Sequence, residues 1–310
     1  MTGTTGTAPL RHWVILAFFA IYVVWGTTYL ANLYVLSALK PFVISGVRYV
    51  IAGLLLAGIA GFRSQSFPVY ADIKTLIISG ILMLVGGSGL VVVAEQYMSS
   101  GYAAVTVATE PFWFIILDRS RWKLYWSKPG VIAGLCIGFA GILLFACFTP
   151  AQGPADHTTV QQLKGLLIVL SGCILWVIGT LYASRKIPDG SFNLWHTAVQ
   201  LLAAGLFSLV ISVIEGEWSH VDIAHLPLKA WGGLVYLIVF GSLIAYLAFA
   251  WLIQVQPPVI VSTHTYVNPI VAILMGWLFA GEGINLWQFA SLVAVLTGVV
   301  ITQRYKPDPV

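Results

Sequence analysis

Long apolar stretches, broken at intervals by a few polar or proline residues, run the length of the chain. They predict ten membrane-spanning helices at roughly 13–34, 42–62, 76–98, 102–117, 130–148, 163–184, 192–214, 231–253, 258–279 and 285–303. The breaks are chemical. Lys40-Pro41, Lys128-Pro129 and Pro257-Pro258 open helices, where proline's missing N–H costs nothing. Residues 63–72 and 149–162 gather the polar and proline positions of loops. Of the 14 prolines, only Pro111 and Pro269 fall well inside a predicted span, which makes them candidate hinges. The stretch Glu95–Asp118 organises the rest, as two apolar arms meeting at Ser99-Ser100-Gly101. On a continuous helix from Gly101, Glu110 sits ~13 Å deep. That is near the middle of a hydrocarbon core about 30 Å thick.

A second copy of this arm recurs at one constant offset. Within Val259–Met275, His264 stands where Thr106 does, and Asn268-Pro269 where Glu110-Pro111 does. Gly205 matches Gly53, Gln200 matches Arg48, Gly298 matches Gly141, and Gly179-Thr180-Leu181-Tyr182 resembles Gly26-Thr27-Thr28-Tyr29. The halves are 12–148 and 163–303, with five predicted spans each. Five is odd, so the second half enters the membrane upside down. Inverted repeats of this kind mark secondary transporters, with a substrate site near mid-membrane at the repeat interface.

Composition agrees with the pattern. The chain is 59% hydrophobic and 8% charged, with mean hydropathy +0.92, where a soluble domain carries about 25% charge. Cys136, Cys147 and Cys173 lie in or beside apolar runs and form neither a disulfide framework nor a zinc spacing. The apolar run Trp13–Tyr34 is too long for a signal-peptide core and reads as the first membrane helix. Lysine and arginine set the orientation. Arg11, Arg63, Lys74, Arg119, Arg121, Lys123, Lys128, Arg185, Lys186, Arg304 and Lys306 fall on one side, against Lys40, Arg48, Lys164 and Lys229 on the other. The positive-inside rule then puts both termini in the cytoplasm. The net charge of +4 reflects this topology and gives no sign of nucleic-acid binding.

Intramembrane polar groups are the candidate chemistry, because they are costly and default to function. Glu110 is a proton-coupling or cation-binding candidate, the alternative being a structural glutamate behind the cavity wall. His264 lies one turn before Asn268, so the two share a face, as Thr106 and Glu110 do. It is weighed equally as a substrate or proton group and as a satisfied core histidine. Arg48 and Glu95, near the outer ends of their spans, are expected to pair with each other, the alternative being substrate contact. Trp25, Tyr29, Trp176, Tyr182, Tyr246 and Tyr266 could line a cavity for a planar or cationic ligand. Arg119, Arg121, Lys123 and Lys128 form an inside-positive loop, and His220, Asp222 and His225 read as a solvated loop rather than a metal site. Gly86-Gly87-Ser88-Gly89 matches an intramembrane serine-protease signature with His264 as a nominal base. The glycines read more simply as packing residues. No phosphate-cradling loop or metal-ligand cluster is present.

Ala94-Glu95-Gln96-Tyr97-Met98-Ser99-Ser100-Gly101-Tyr102-Ala103-Ala104, with Ala108-Thr109-Glu110-Pro111-Phe112-Trp113, resembles the EamA-type branch of the drug/metabolite transporter superfamily. So do Gly241-Ser242-Leu243, Tyr266-Val267-Asn268-Pro269-Ile270-Val271-Ala272, Gly281-Glu282 and Trp25-Gly26-Thr27-Thr28-Tyr29. The resemblance covers residues 12–303. It implies an all-α membrane protein of ten helices, two inverted five-helix repeats around a central cavity lined chiefly by spans 1, 3, 4, 6, 8 and 9. Its usual cargo is amino acids or other small metabolites, often exported. The expectation is therefore a multi-pass secondary transporter of the bacterial cytoplasmic membrane, active as a monomer, without cofactor or metal. Its expected partners are a small-molecule substrate, the lipid bilayer and, for coupling, protons. Trp25, Tyr29, Thr106, Glu110, Trp176, Tyr246, His264, Tyr266 and Asn268 are the candidate substrate contacts. A phosphorylated cargo is disfavoured because no lysine or arginine lies mid-span. The alternative reading is a multidrug or cation/proton antiporter that uses Glu110.

Overall fold

A computed structural model of the chain describes residues 11–98, 103, 106–148, 159–188, 192–222, 225–280 and 286–305. It is helical, with no strand among those residues. In chain order the main helices are α1 Arg11–Leu36, α2 Pro41–Phe62, α3 Tyr70–Ala94, α4 Glu110–Leu117 and α5 Pro129–Phe148. They continue as α6 Thr159–Lys186, α7 Leu194–Ile214, α8 Leu228–Val255, α9 His264–Ala280 and α10 Leu286–Arg304.

The starts follow local chemistry. Lys40 is extended before Pro41 at the head of α2. Asn193 caps α7, its side chain accepting from the Trp195 N–H at 2.9 Å. Gly216, at φ +66°, lets the chain turn away after α7.

Among the described residues, six helices, α1, α2, α3, α6, α7 and α8, are long and apolar enough to cross a bilayer. A seventh is added if Arg119–Trp126 and Pro129–Leu144, bent by 97° to one another, count as one. Among the described residues, two turns interrupt predicted spans. A turn at Ala108–Thr109 interrupts the predicted arm 102–117, leaving α4 only eight residues, a rise of ~12 Å. A turn at Ser262–Thr263 separates Pro258–Val261 from α9. Glu110 is thus the first residue of a new helix rather than the middle of a long one. Ser99-Ser100-Gly101, Gly281-Glu282 and Lys306 lie outside the described residues.

Small residues set the helix pairings. A side chain at Gly46 or Gly53 of α2 would strike Leu209 or Leu202 of α7, and one at Gly205 would strike Val50. The register runs antiparallel. Gly134, Gly138 and Gly141 of α5 meet α10 around Thr302, Gly298 and Val295 in the same way. Gly86 and Gly87 of α3 seat Leu175 and Trp176 of α6. These close approaches hold the scaffold while α1, α3, α4, α6, α8 and α9 meet around the centre.

Candidate functional site

Three helices widen to π geometry where they face the centre: Ala20–Val24 of α1, Ile81–Gly89 of α3 and Leu237–Tyr246 of α8. A wider turn leaves backbone carbonyls off the regular ladder and recurs at functional sites. Between these segments lies a cavity of ≈ 110 Å³. Trp25, Tyr29, Glu110, Trp176, Tyr246, His264 and Asn268 all line it, as do Thr28, Asn32, Arg48, Tyr49, Ser88 and Cys173. Its lining includes the second half of α1 (Trp25, Thr28, Tyr29, Asn32), Arg48 and Tyr49 in the first half of α2, and Leu84, Gly87, Ser88, Val91 and Val92 in the second half of α3.

The aromatic wall is built on Trp25. Its ring stands edge-on to His264 at 4.7 Å and to Trp176 at 5.8 Å, with buried Phe249 behind at 5.3 Å. Its indole N–H donates to the Gly241 carbonyl at 3.2 Å, tying α1 to the π segment of α8. Tyr246 donates to Gln200 at 3.0 Å, and Gln200 donates to Ser79 at 2.9 Å. That chain leads from the cavity to a smaller one of ≈ 30 Å³ around Gln200, His196, Thr180 and Phe249.

Asn268 has a structural task as well. In the orientation that satisfies both ends of its amide, it donates to the π-turn carbonyls of Tyr22 and Ile21 at 3.0 and 3.1 Å. Its oxygen accepts from His264 Nδ1 at 3.2 Å. The proton is then on Nδ1, and Nε2, buried and without a partner, is left as an acceptor. Glu110 is 4% exposed and its Oε1 has no hydrogen-bond partner.

Some expected placements differ. Tyr266 faces away, donating to the Leu135 carbonyl of α5 at 3.2 Å, because two residues on from His264 is the opposite side of a helix. Thr106 does not line the cavity, since the turn at 108–109 breaks the one-turn register with Glu110; its carbonyl lies 3.9 Å from the Cys173 thiol. Arg48 and Glu95 form no ion pair: both Glu95 oxygens are buried without a partner, and the Arg48 guanidinium lies over the Tyr49 ring at 4.5 Å. Pro111 occupies the first turn of α4, so it starts a helix instead of kinking one, while Pro269 is inside α9. Tyr182 lies under the Lys186 ammonium, 5.7 Å from ring centre, and is not part of the cavity. Gly86 and Gly87 are filled by α6, as packing requires. Among the described residues no group of three metal-ligating side chains exists, and His225 pairs with Asp222 at 2.7 Å.

Just past the end of α4, Asp118 is buried and carries a cluster the sequence reading missed. Arg185 of α6 donates to it at 2.9 Å, Tyr125 at 2.8 Å and Ser120 at 2.7 Å. At the head of α2, Glu217 accepts from the Val43 N–H at 2.9 Å and caps the helix. Burial pushes its carboxyl above the usual glutamate range, while the Val43 and Phe42 N–H groups and Lys40 pull it back.

Apolar helices in antiparallel pairs around an internal chamber studded with unpaired polar atoms are the build of a polytopic membrane carrier. The chain belongs to the EamA-like transporter family, whose model matches residues 12–147 and again 163–304. It is 32% identical to the uncharacterized inner membrane transporter YedA of Escherichia coli K12, over 94% of this chain and 90% of that protein. It is 26% identical to an S-adenosylmethionine/S-adenosylhomocysteine transporter of Chlamydia muridarum, over 86% and 85% of the two chains. A solved crystal structure at 16% identity superposes with a TM-score of 0.73, covering 96% of this chain and 98% of that one, so the two share a fold.

Proposed function

We propose that the protein is a secondary transporter that moves a small metabolite, an amino acid or related zwitterion, across the bacterial cytoplasmic membrane by alternating access. Ten membrane helices in two inverted repeats, 12–148 and 163–303, with both termini cytoplasmic, make the carrier, and a monomer suffices. The observation that carries this reading is Glu110: a buried carboxyl with an unpartnered oxygen in a cavity walled by Trp25, Trp176 and Tyr246. Such a site accepts an ammonium electrostatically and a planar group by stacking. The double match of one family model supports the repeat. The antiparallel pairing of repeat-equivalent helices, α2 on α7 and α5 on α10, supports it as well. A family relative that carries S-adenosylmethionine is in keeping with a cargo of mixed charge.

Glu110 also favours a second reading, a multidrug or cation/proton antiporter in which protons and a cation compete for one carboxylate. A thermal-shift screen of the purified protein against a metabolite library, followed by liposome transport of each hit, tests the choice. Zwitterions should stabilise and be moved. Stabilisation by lipophilic cations alone would replace the first reading with the second.

A further inference from the structure

The cavity is lined by a guanidinium as well as a carboxyl. Arg48 is 7% exposed and lines the cavity, no carboxylate among the described residues pairs with it, and its buried Nε has no acceptor there. A guanidinium stays charged at any accessible pH, and a buried charge without a counter-ion is strongly unfavourable. It is held from one side: Cζ lies 4.5 Å from the Tyr49 ring centre, and Tyr49 is itself fixed by donating to Ser88 at 3.1 Å. The fork of N–H donors of a guanidinium matches a planar acceptor such as a carboxylate.

We propose that Arg48 is the anion-recognising residue of the transport site and that the cargo presents a carboxylate to it while its ammonium faces Glu110. This rests on the transporter reading above and narrows it to substrates with both charges. Among the described residues, no other lysine or arginine lines the cavity. One guanidinium against one carboxyl balances a net-neutral dipolar ligand, whereas a phosphate dianion would leave excess negative charge. The aromatic rings of Trp25, Trp176 and Tyr246 take up the side chain of the cargo between the two poles.

Three probes separate the poles: L-phenylalanine, L-phenylalaninamide, which lacks the carboxylate, and N-acetyl-L-phenylalanine, which lacks the ammonium. Binding is read by thermal shift of the purified full chain and transport by liposome counterflow. The wild type should prefer phenylalanine to its amide. Arg48→Gln should weaken phenylalanine and N-acetylphenylalanine about tenfold or more and leave the amide unchanged. Arg48→Lys, which keeps charge without the fork, should fall between, and it covers the case in which the glutamine variant does not fold. An Arg48→Gln or Arg48→Lys protein with wild-type discrimination between acid and amide would overturn the proposal. So would a wild type that moves the amide as well as the acid, although transport itself would then stand. A wild type that binds and moves none of the three refutes the aromatic-zwitterion cargo and this inference with it.

Discussion

Glu110 stands at the junction of two facts, burial and an unpartnered oxygen, that neither a loop nor a packed core explains. Glu110→Gln keeps size and hydrogen-bonding capacity and removes the charge, so the variant should fold. Where the carboxyl couples protons to cargo, the variant loses the pH dependence of transport and any substrate-driven proton flux in liposomes; an unchanged pH profile on well-folded protein would take Glu110 out of the mechanism. Much of the cavity wall was legible from polar or aromatic positions in apolar runs. Trp25 and Tyr29 belong to a stripe that continues to Asn32 at helical spacing, and following it would have found Thr28 and Asn32. Arg48 was misplaced because the charge-pairing rule supplies a partner without geometry. Tyr266 was misplaced because a conspicuous residue near a site need not share its face.

Elements explain what residue patterns could not. The helix boundaries at Lys40-Pro41 and Asn193 were legible because caps and prolines are local chemistry. The π segments and the turns at 108–109 and 262–263 were not, since they depend on tertiary partners such as the Asn268 amide that satisfies the carbonyls of Ile21 and Tyr22. Close helix contacts give a direct test. A Cβ on Gly298 would lie 2.6 Å from the Gly134 carbonyl oxygen, and backbone cannot step aside as a side chain can. Gly298→Ala should therefore cost roughly 1–3 kcal/mol, read as a lower unfolding temperature in detergent. Gly58→Ala, which meets nothing within 4 Å, should be neutral or slightly stabilising. Equal effects would remove the α5–α10 contact as the cause. At the head of α2, the raised pKa of Glu217 has a definite sign. The folded state prefers the protonated carboxyl. This contribution to stability is fully present below the ordinary glutamate pKa of about 4.3 and is lost as pH rises through the raised value. Glu217→Gln should thus match the wild type in acid and unfold at a higher temperature near neutral pH. A glutamine variant less stable at neutral pH would mean that the helix N–H groups, not burial, dominate that carboxyl.

At the scale of the whole molecule, the lopsided distribution of lysine and arginine predicts that both termini and the residues 118–128 face the cytoplasm. Cysteine labelling that finds the termini on opposite sides would show a miscounted span. That orientation puts the Asp118 cluster inside. Asp118 and Tyr125 come from the first half of the chain and Arg185 from the second, so the 2.9 Å bridge between Asp118 and Arg185 joins the halves. A carrier that alternates must break this contact when the inner side opens. Arg185→Ala removes only the link between halves, because Asp118 keeps Ser120 and Tyr125. Arg185 is half exposed, so the bridge is worth about 1 kcal/mol or less, too little to threaten folding and enough to shift a two-state balance severalfold. The variant should speed thiol labelling of a cysteine placed at Thr180, on the smaller cavity behind Phe249, by up to about fivefold, with little change in unfolding temperature. Faster labelling would identify the bridge as the inner latch. A lower unfolding temperature with labelling unchanged would make it a structural brace, and the inner gate would then lie in the aromatic plug of Trp176 and Phe249.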